Sequence, residues 1–288
     1  MIKGFLMKTL FIHEKDNAYI QELKEAFNKK NISFQAIEIS QLGLLTEGKE
    51  TTLTTNGFSL EEFDSCFLAV GVQFTQFVEP LIDEFSQKGI YCQVKPDAYS
   101  ILSNKAFQLT TLNSHKINTP NTTIFGSSYF INSSLKEFRF PLVLQIFLGY
   151  KKMQDVLVES EKSLISFVKS IKSDFDILLL QEFFEKPLDV SAVIGKEVFS
   201  VRRSWVKEKL EYLKKGATRT LSEKEQLDLI KACNAIGTEI ATVKSIDGNI
   251  VSVKPFVDFS YFQEILGKNL YEKLAEFYLS KFETKGME

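Results

Sequence analysis

A chain of 288 residues, with 35 basic and 37 acidic side chains and a formal net charge of -2, exceeds the usual size of one hydrophobic core and predicts two or three lobes around a cleft. Charge so near balance gives no electrostatic footprint for general nucleic-acid or membrane-surface binding. Only His13 and His115 are present, against a multi-histidine metal site, and Cys66, Cys92 and Cys233 lie apart in apolar runs where they read as small buried hydrophobes.

Met1 to Leu6 is basic and apolar, but the run breaks at Lys8 and no small-residue cleavage site follows. It reads as an upstream start or an extension before Met7, with the cytoplasm as the expected compartment, and no apolar stretch is long enough to span a bilayer. Thr9 to His13 reads as a strand, Ile20, Leu23, Ala26 and Phe27 recur at helical spacing, and Phe34 to Glu38 reads as a second strand. Thr46 to Gly57 suits a surface loop or a weak hairpin. Cys66 to Val70, a helix through Val78, Leu81, Ile82 and Phe85, and Ile90 to Val94 complete an alternation that predicts a parallel sheet covered on both faces.

Ser103 to Ser114 predicts one helix with Ser103 as its N-cap. Strand patterns then recur at Thr122 to Gly126, Pro141 to Gln145, Val156 to Ser160, Ile177 to Glu182, Val190 to Ile194 and Val198 to Arg203, with a helix from Leu164 to Ile171. After a polar stretch to Arg219, Ser222 and Glu225 form a capping box for a helix carrying Leu229, Ile230, Cys233 and Ile236. Ile240 to Ile246 and Ile250 to Phe256 read as a hairpin turning at Asp247-Gly248-Asn249, and a last helix runs from about Leu270 to Phe282. The expected organisation is an N-terminal α/β domain over 1–102, a small lobe with a linker helix over 103–182, and a larger C-terminal lobe over 183–288.

Gly89 to Cys92 leading to Ser103-Asn104-Lys105, then Phe140 to Leu144, Gln181 to Phe184 and Ile240 to Phe256, in this order and spacing, resemble the RimK-type branch of ATP-grasp ligases. Those enzymes join an amino acid to a protein or peptide carboxylate through an acyl phosphate. The resemblance implies the ATP-grasp fold, a pre-ATP-grasp α/β domain followed by two α+β lobes enclosing a cleft. It implies ATP or ADP in that cleft, with Lys105 reaching the phosphates and Gln181, Glu182, Phe183 and Phe184 forming the hinge around adenine.

Departures from the family pattern concentrate at the chemistry. The second phosphate lysine falls on Gln145, and the loop expected to be glycine-rich reads Leu148 to Asp155 with Gly149 alone retained. Within it, Lys151 and Lys152 are either mobile anion contacts or a solvated loop. The three magnesium ligands fall on Lys244, Ser252 and Lys254, so no metal is expected at the family site. The family arginine near Val190 and Ser191 is missing. Arg202 and Arg203 remain, of which strand alternation aims only one into the cleft, and Arg203 joins Lys105, Lys244 and Lys254 as a candidate anion contact. Asp258 is a candidate displaced ligand, and Lys214-Lys215-Gly216 reads as an exposed basic turn.

The expectation is a catalytically degenerate RimK-like protein, a nucleotide- or anion-binding or regulatory module with no catalytic residues assigned. Two alternatives stand beside it: an active ATP-dependent carboxylate-amine ligase with relocated metal ligands, and a structural subunit of a complex. A small-molecule nucleotide or anion, a protein partner and a homo-oligomer are the expected associations; nucleic acid and membrane are not.

Overall fold

The computed structural model describes residues 7–14, 19–47, 50–55, 59–126, 138–148, 151–170, 177–207 and 211–285. Met1 to Leu6, Gly149 and Tyr150 of the glycine-poor loop, the side chains of Lys151 and Lys152, and Ile171 at the expected helix end lie outside the described residues.

β1 (Met7–His13) leads through α1 (Ile20–Lys29) to β2 (Ile32–Glu38). A hairpin of β3 (Leu42–Glu47) and β4 (Glu50–Thr55) follows, then β5 (Ser65–Ala69), α2 (Thr75–Gln87) and β6 (Tyr91–Cys92). The resulting parallel sheet has the order β2-β1-β5-β6. Alternation along β1 explains its two covered faces. Leu10 and Ile12 share a core with Val78, Leu81 and Phe85 of α2, while Met7 and Phe11 share another with Leu23 and Phe27 of α1. The strand expected over Ile90 to Val94 is shorter, because the Gln93 side-chain amide takes over the pairing: it accepts from Leu68 N–H (3.2 Å) and donates to the Leu68 carbonyl (2.7 Å).

The single helix expected from Ser103 is two, α3 (Ala98–Ser103) and α4 (Lys105–Ser114). Asn104, extended at φ -114° and ψ 106°, accepts from the Phe107 N–H at 3.1 Å and is the true cap. Ser103 instead donates back to the Ser100 carbonyl inside α3. Asparagine at this position satisfies an orphan N–H of the new helix, which ends the old one.

A second, antiparallel sheet comprises β7 (Thr122–Phe125), β8 (Leu142–Leu148), β9 (Lys151–Val158) and β10 (Ile177–Glu182) in the order β7-β10-β8-β9, with α5 (Glu161–Ser170) packed on it. Leu142, Leu144 and Ile146 point into its own core, which also takes in Leu164, Leu178 and Leu180. Val143, Gln145 and Phe147 consequently leave the opposite face.

The rest of the chain gives β11 (Leu188–Ile194), β12 (Glu197–Arg203), the two-residue strands β13 (Trp205–Val206) and β14 (Glu211–Tyr212), β15 (Ala217–Arg219), α6 (Glu223–Ile236), β16 (Ile240–Ile246), β17 (Asn249–Lys254), α7 (Phe259–Leu266) and α8 (Leu270–Lys285). Five of these strands form a sheet in the order β15-β12-β11-β16-β17, and β13 pairs β14 separately. Val193, Ala241 and Val243 meet α6 on one face; Leu188, Val190 and Ala192 meet α7 and α8 on the other. Both clusters continue into the two faces of the parallel sheet, so these parts share their cores. The capping box at α6 forms as expected: Glu225 N–H donates to Ser222 Oγ (3.3 Å) and Ser222 N–H to Glu225 Oε2 (2.7 Å). Asp247 and Gly248, at φ 50° and 79°, make the expected turn between β16 and β17. The polar stretch before Arg219 holds three short strands that its composition concealed.

Candidate functional site

Strand parity builds one cleft between the antiparallel sheets. Val143, Gln145 and Phe147 of β8, with Asp155 and Leu157 of β9, form its upper wall. Lys244 and Ile246 of β16, with Ser252 and Lys254 of β17, form its floor. The cleft encloses about 830 Å³, and Lys105, Gln181, Glu182, Phe183 and Phe184 also line it. Lys105, Gln145, Gln181, Glu182, Phe183, Phe184, Lys244 and Lys254 therefore border one space, and Arg203 and Asp258 do not line it.

The register fixes the floor. Lys244 stands opposite Ser252 and Thr242 opposite Lys254, so all four leave one face. Immediately after the Lys244 and Ser252 pair the register shifts, Ser245 pairing with Ile250, which leaves Val251 as the extra residue of a bulge. Its carbonyl accepts from Lys105 Nζ. Gln108, one turn further along α4, clamps the same edge: its amide donates to the Val253 carbonyl (2.9 Å) and accepts from the Val253 N–H (3.0 Å).

Several side chains do something other than expected. Gln145 Nε2 donates to Asp155 Oδ1 at 3.1 Å, and the buried Oε1 has no partner among the described residues. A carbonyl oxygen stands where the resemblance implies a cation. Arg203 shares a face with Leu188, opposite which it pairs, yet its guanidinium donates to the backbone carbonyls of Leu213 and Tyr212. It fixes the β13–β14 hairpin rather than an anion. Arg202, on the other face, forms a bidentate pair with Asp189 at 2.7 Å for each bond. Asp258 is the N-cap of α7, accepting from the Tyr261 N–H at 3.1 Å, and does not line the cleft. The Gln181 amide donates to Thr122 Oγ1 (3.0 Å), and Glu182 accepts from Asn121 Nδ2 (3.1 Å). The chain leaves the ladder after Glu182, so the Phe183 and Phe184 backbone lies outside it.

Sequence reasoning missed Asp155, Trp205, Glu211 and Tyr212, all of which line the cleft. Trp205 makes edge contacts with Phe183 (centroids 5.3 Å) and Tyr212 (5.0 Å). Burial pushes the Tyr212 phenol up, against the opposing pull of Arg203. A second chamber of about 390 Å³ opens beside the first and shares Lys105, Phe147, Ser252 and Lys254 with it. Glu14, at the end of β1, forms its far wall and accepts from the Gly71 N–H (2.6 Å) and Gln73 Nε2 (3.1 Å). Among the described residues, no three His, Cys, Asp or Glu side chains gather as metal ligands, and no helix is long and apolar enough to cross a membrane.

A parallel α/β sheet followed by two antiparallel sheets that enclose a cleft is the architecture of the ATP-grasp fold. The ATP-grasp ligase PsnB, solved with a minimal precursor, Mg and ADP, superposes with a TM-score of 0.72 at 10% identity over 94% of this chain and 97% of that one. A RimK-domain ATP-grasp protein from Sphaerobacter thermophilus gives a TM-score of 0.69 at 16% identity over 94% and 98%. At these identities the likeness shows the fold. No protein-family model matches the chain.

In sequence, the chain is 25% identical over 237 residues to a probable alpha-L-glutamate ligase of Desulfotalea psychrophila, covering 79% of this chain and 51% of that relative. A protein of the same description from Mannheimia succiniciproducens is 25% identical over 197 residues, 66% of each chain. The chain thus spans about half to two thirds of the length of these relatives. Together the matches make the chain similar to RimK-type ATP-grasp ligases in sequence and in fold.

Proposed function

We infer that the chain keeps an ATP-grasp cleft as a nucleotide- or anion-binding module and does not ligate. The observation that carries this reading is the pair Lys244 and Lys254, both lining the cleft at positions where the family resemblance implies metal ligands. Magnesium takes hard oxygen ligands in near-ideal octahedral geometry. Two ammonium groups and one hydroxyl do not fit it. At about 4 Å, each ammonium repels a dication by roughly 2 kcal/mol even at the dielectric of water, and by more inside a cleft. The same lysines, with Lys105, suit a phosphate chain held directly. Gln145 weakens the case for phosphoryl transfer further, since it offers the transferred group no charge.

Asp155 and Glu211 favour the rival reading, a carboxylate-amine ligase with relocated metal ligands, because both line the same cleft. One experiment separates the two. The protein is incubated with ATP, magnesium, and pools of amino acids and short peptides while ADP is followed, and its melting temperature is measured with ATP, ADP and AMP in EDTA. The module reading expects nucleotide to raise the melting temperature and ADP to stay at background. Steady ADP release that Lys105→Ala abolishes establishes the ligase instead, and no thermal shift with any nucleotide removes the binding reading.

A further inference from the structure

In the parallel sheet β1 lies between β2, which follows it in the chain, and β5, which comes later, so the strand order reverses between β1 and β5. Open α/β sheets hold ligands outside the carboxyl ends of their strands at such a point. The smaller chamber, of about 390 Å³, opens there, with Glu14 just past β1 and Gly71 just past β5 in its wall. Glu14 spans the reversal: Oε1 accepts from the Gly71 N–H (2.6 Å) and Oε2 from Gln73 Nε2 (3.1 Å). A carboxylate has about four acceptor positions, so this fixed side chain keeps capacity for a donor that enters the chamber.

The opposite charge comes from other parts of the fold. Lys105 at the head of α4 and Lys254 at the end of β17 also line the chamber. Lys105 donates to the Val251 carbonyl, which makes Lys254 the readier partner for an incoming anion. The polar side chains between them are engaged: Gln73 with Glu14, Ser103 with the Ser100 carbonyl, and Gln108 with Val253. Val72, Leu102, Phe147 and Phe256 add apolar surface. A simple anion placed here meets Glu14, and a simple amine meets the lysines. A molecule that carries an ammonium, a carboxylate and an apolar body suits the whole wall.

Lys105 and Lys254 line the main cleft as well. Two anions drawn to the same ammonium groups repel each other. We propose that the smaller chamber is a second binding site, for an aliphatic α-amino acid, with Glu14 taking its ammonium and Lys254 its carboxylate, and that this occupant and the anion in the main cleft weaken each other. A ligase must hold amino acid and nucleotide together, so antagonism marks a regulatory site and not a substrate site. The antagonism rests on the anion-binding reading given above; the amino-acid site does not.

Heat is measured in EDTA as the native protein takes up L-leucine, isocaproate, which lacks the ammonium, isoamylamine, which lacks the carboxylate, or L-glutamate. Leucine is expected to bind, and the loss of either charge to weaken binding by about tenfold or more, as for a hydrogen bond between charged groups. In Glu14→Gln, which keeps an oxygen for the Gly71 N–H, leucine and isocaproate should bind alike. Saturating pyrophosphate should weaken leucine by about fivefold or more, and leucine should weaken pyrophosphate by the same factor. No heat from leucine overturns the site. Isocaproate that binds the native protein as tightly as leucine also overturns it, and does so even where Glu14→Gln fails to fold. Glutamate bound more tightly than leucine overturns the ligand class. Leucine affinity that pyrophosphate leaves unchanged or raises overturns the antagonism. Pyrophosphate that does not bind at all overturns the anion-binding reading and the antagonism with it, while the leucine comparisons still decide the site.

Discussion

Lys244 and Lys254 leave adjacent strands from the same face, Lys244 opposite Ser252 and Lys254 opposite Thr242, and both border the main cleft. Each points where a polyphosphate would lie if it occupied that space. Replacing both by glutamine keeps most of the volume and removes two charges. Pyrophosphate affinity measured by calorimetry in EDTA should fall by about tenfold or more, since hydrogen bonds to charged groups contribute about 1.5–3 kcal/mol each. Retained affinity would place the anion elsewhere.

Asn104 separates α3 from α4 and sets the first turn that carries Lys105. Asn104→Ala should lower unfolding free energy in urea by about 1 kcal/mol, the usual loss for a side-chain cap. A variant as stable as the native protein would mean that the cap contributes nothing.

The capping box at α6 supplies a pH dependence. The Ser222 N–H and hydroxyl hold the Glu225 carboxyl below its ordinary value of 4.5. A lowered carboxylate contributes stability at pH above its unfolded value, and that contribution disappears as pH falls through the lowered folded value. Ser222→Ala removes the hydroxyl's bond to the carboxylate and also the pH-independent bond from the Glu225 N–H to Ser222 Oγ, so it should destabilise by about 1 kcal/mol at neutral pH and by less in acid. Equal destabilisation at both pH values would contradict this assignment.

Asp189 ties β11 to β12 and β15. Its carboxylate pairs with Arg202 and lies 3.6 Å from the buried Nε of Arg219. Asp189→Ala takes the carboxylate from Arg202, which is 43% exposed in its side chain and can be rehydrated, while Arg219 keeps Glu225 at 2.8 Å. The expected loss is about 1–3 kcal/mol, below the range for a fully buried pair. Chemical denaturation measures it, and a neutral result would show the network to be dispensable.

Burial pushes the Cys66 thiol well up and the Cys233 thiol to about 12. With half-buried Cys92 the one accessible thiol, a disulfide reagent at pH 8 should modify a single cysteine in the native protein and all three after denaturation. Because both values are raised, their stabilising contribution is complete below the ordinary thiol range and is lost as pH rises toward the folded values. Rapid native modification of all three would refute the buried placement.

Strands carrying long apolar runs were legible because burial on both faces of a parallel sheet leaves no polar positions, as in Leu10 to Ile12 of β1. The floor of the cleft was legible only through the family resemblance: parity and a two-residue turn alone would set Lys244 opposite Val251, and the bulge at Val251 is what brings Ser252 and Lys254 to its face. What those side chains hold was not. Lys105 meets a carbonyl freed by a bulge at Val251, and Gln145 meets Asp155 across a strand pair, so each depends on a register no local pattern reports. Strands β13 and β14, at two residues each, are too short for any period, and Trp205 was missed with them. Asn104 was overlooked because one extended residue splits a pattern that otherwise reads as a single helix.

On the proposed function, this cleft takes its anion on lysines in place of a metal. Calorimetric titration of the native protein with ATP, once in EDTA and once with saturating magnesium, tests it most directly. The account predicts an affinity that magnesium leaves unchanged or weakens, since the dication would compete with Lys244 and Lys254 for the same phosphate oxygens. Binding tightened tenfold or more by magnesium, about 1.4 kcal/mol, would contradict it and show that carboxylates such as Asp155 or Glu211 have assumed the metal site.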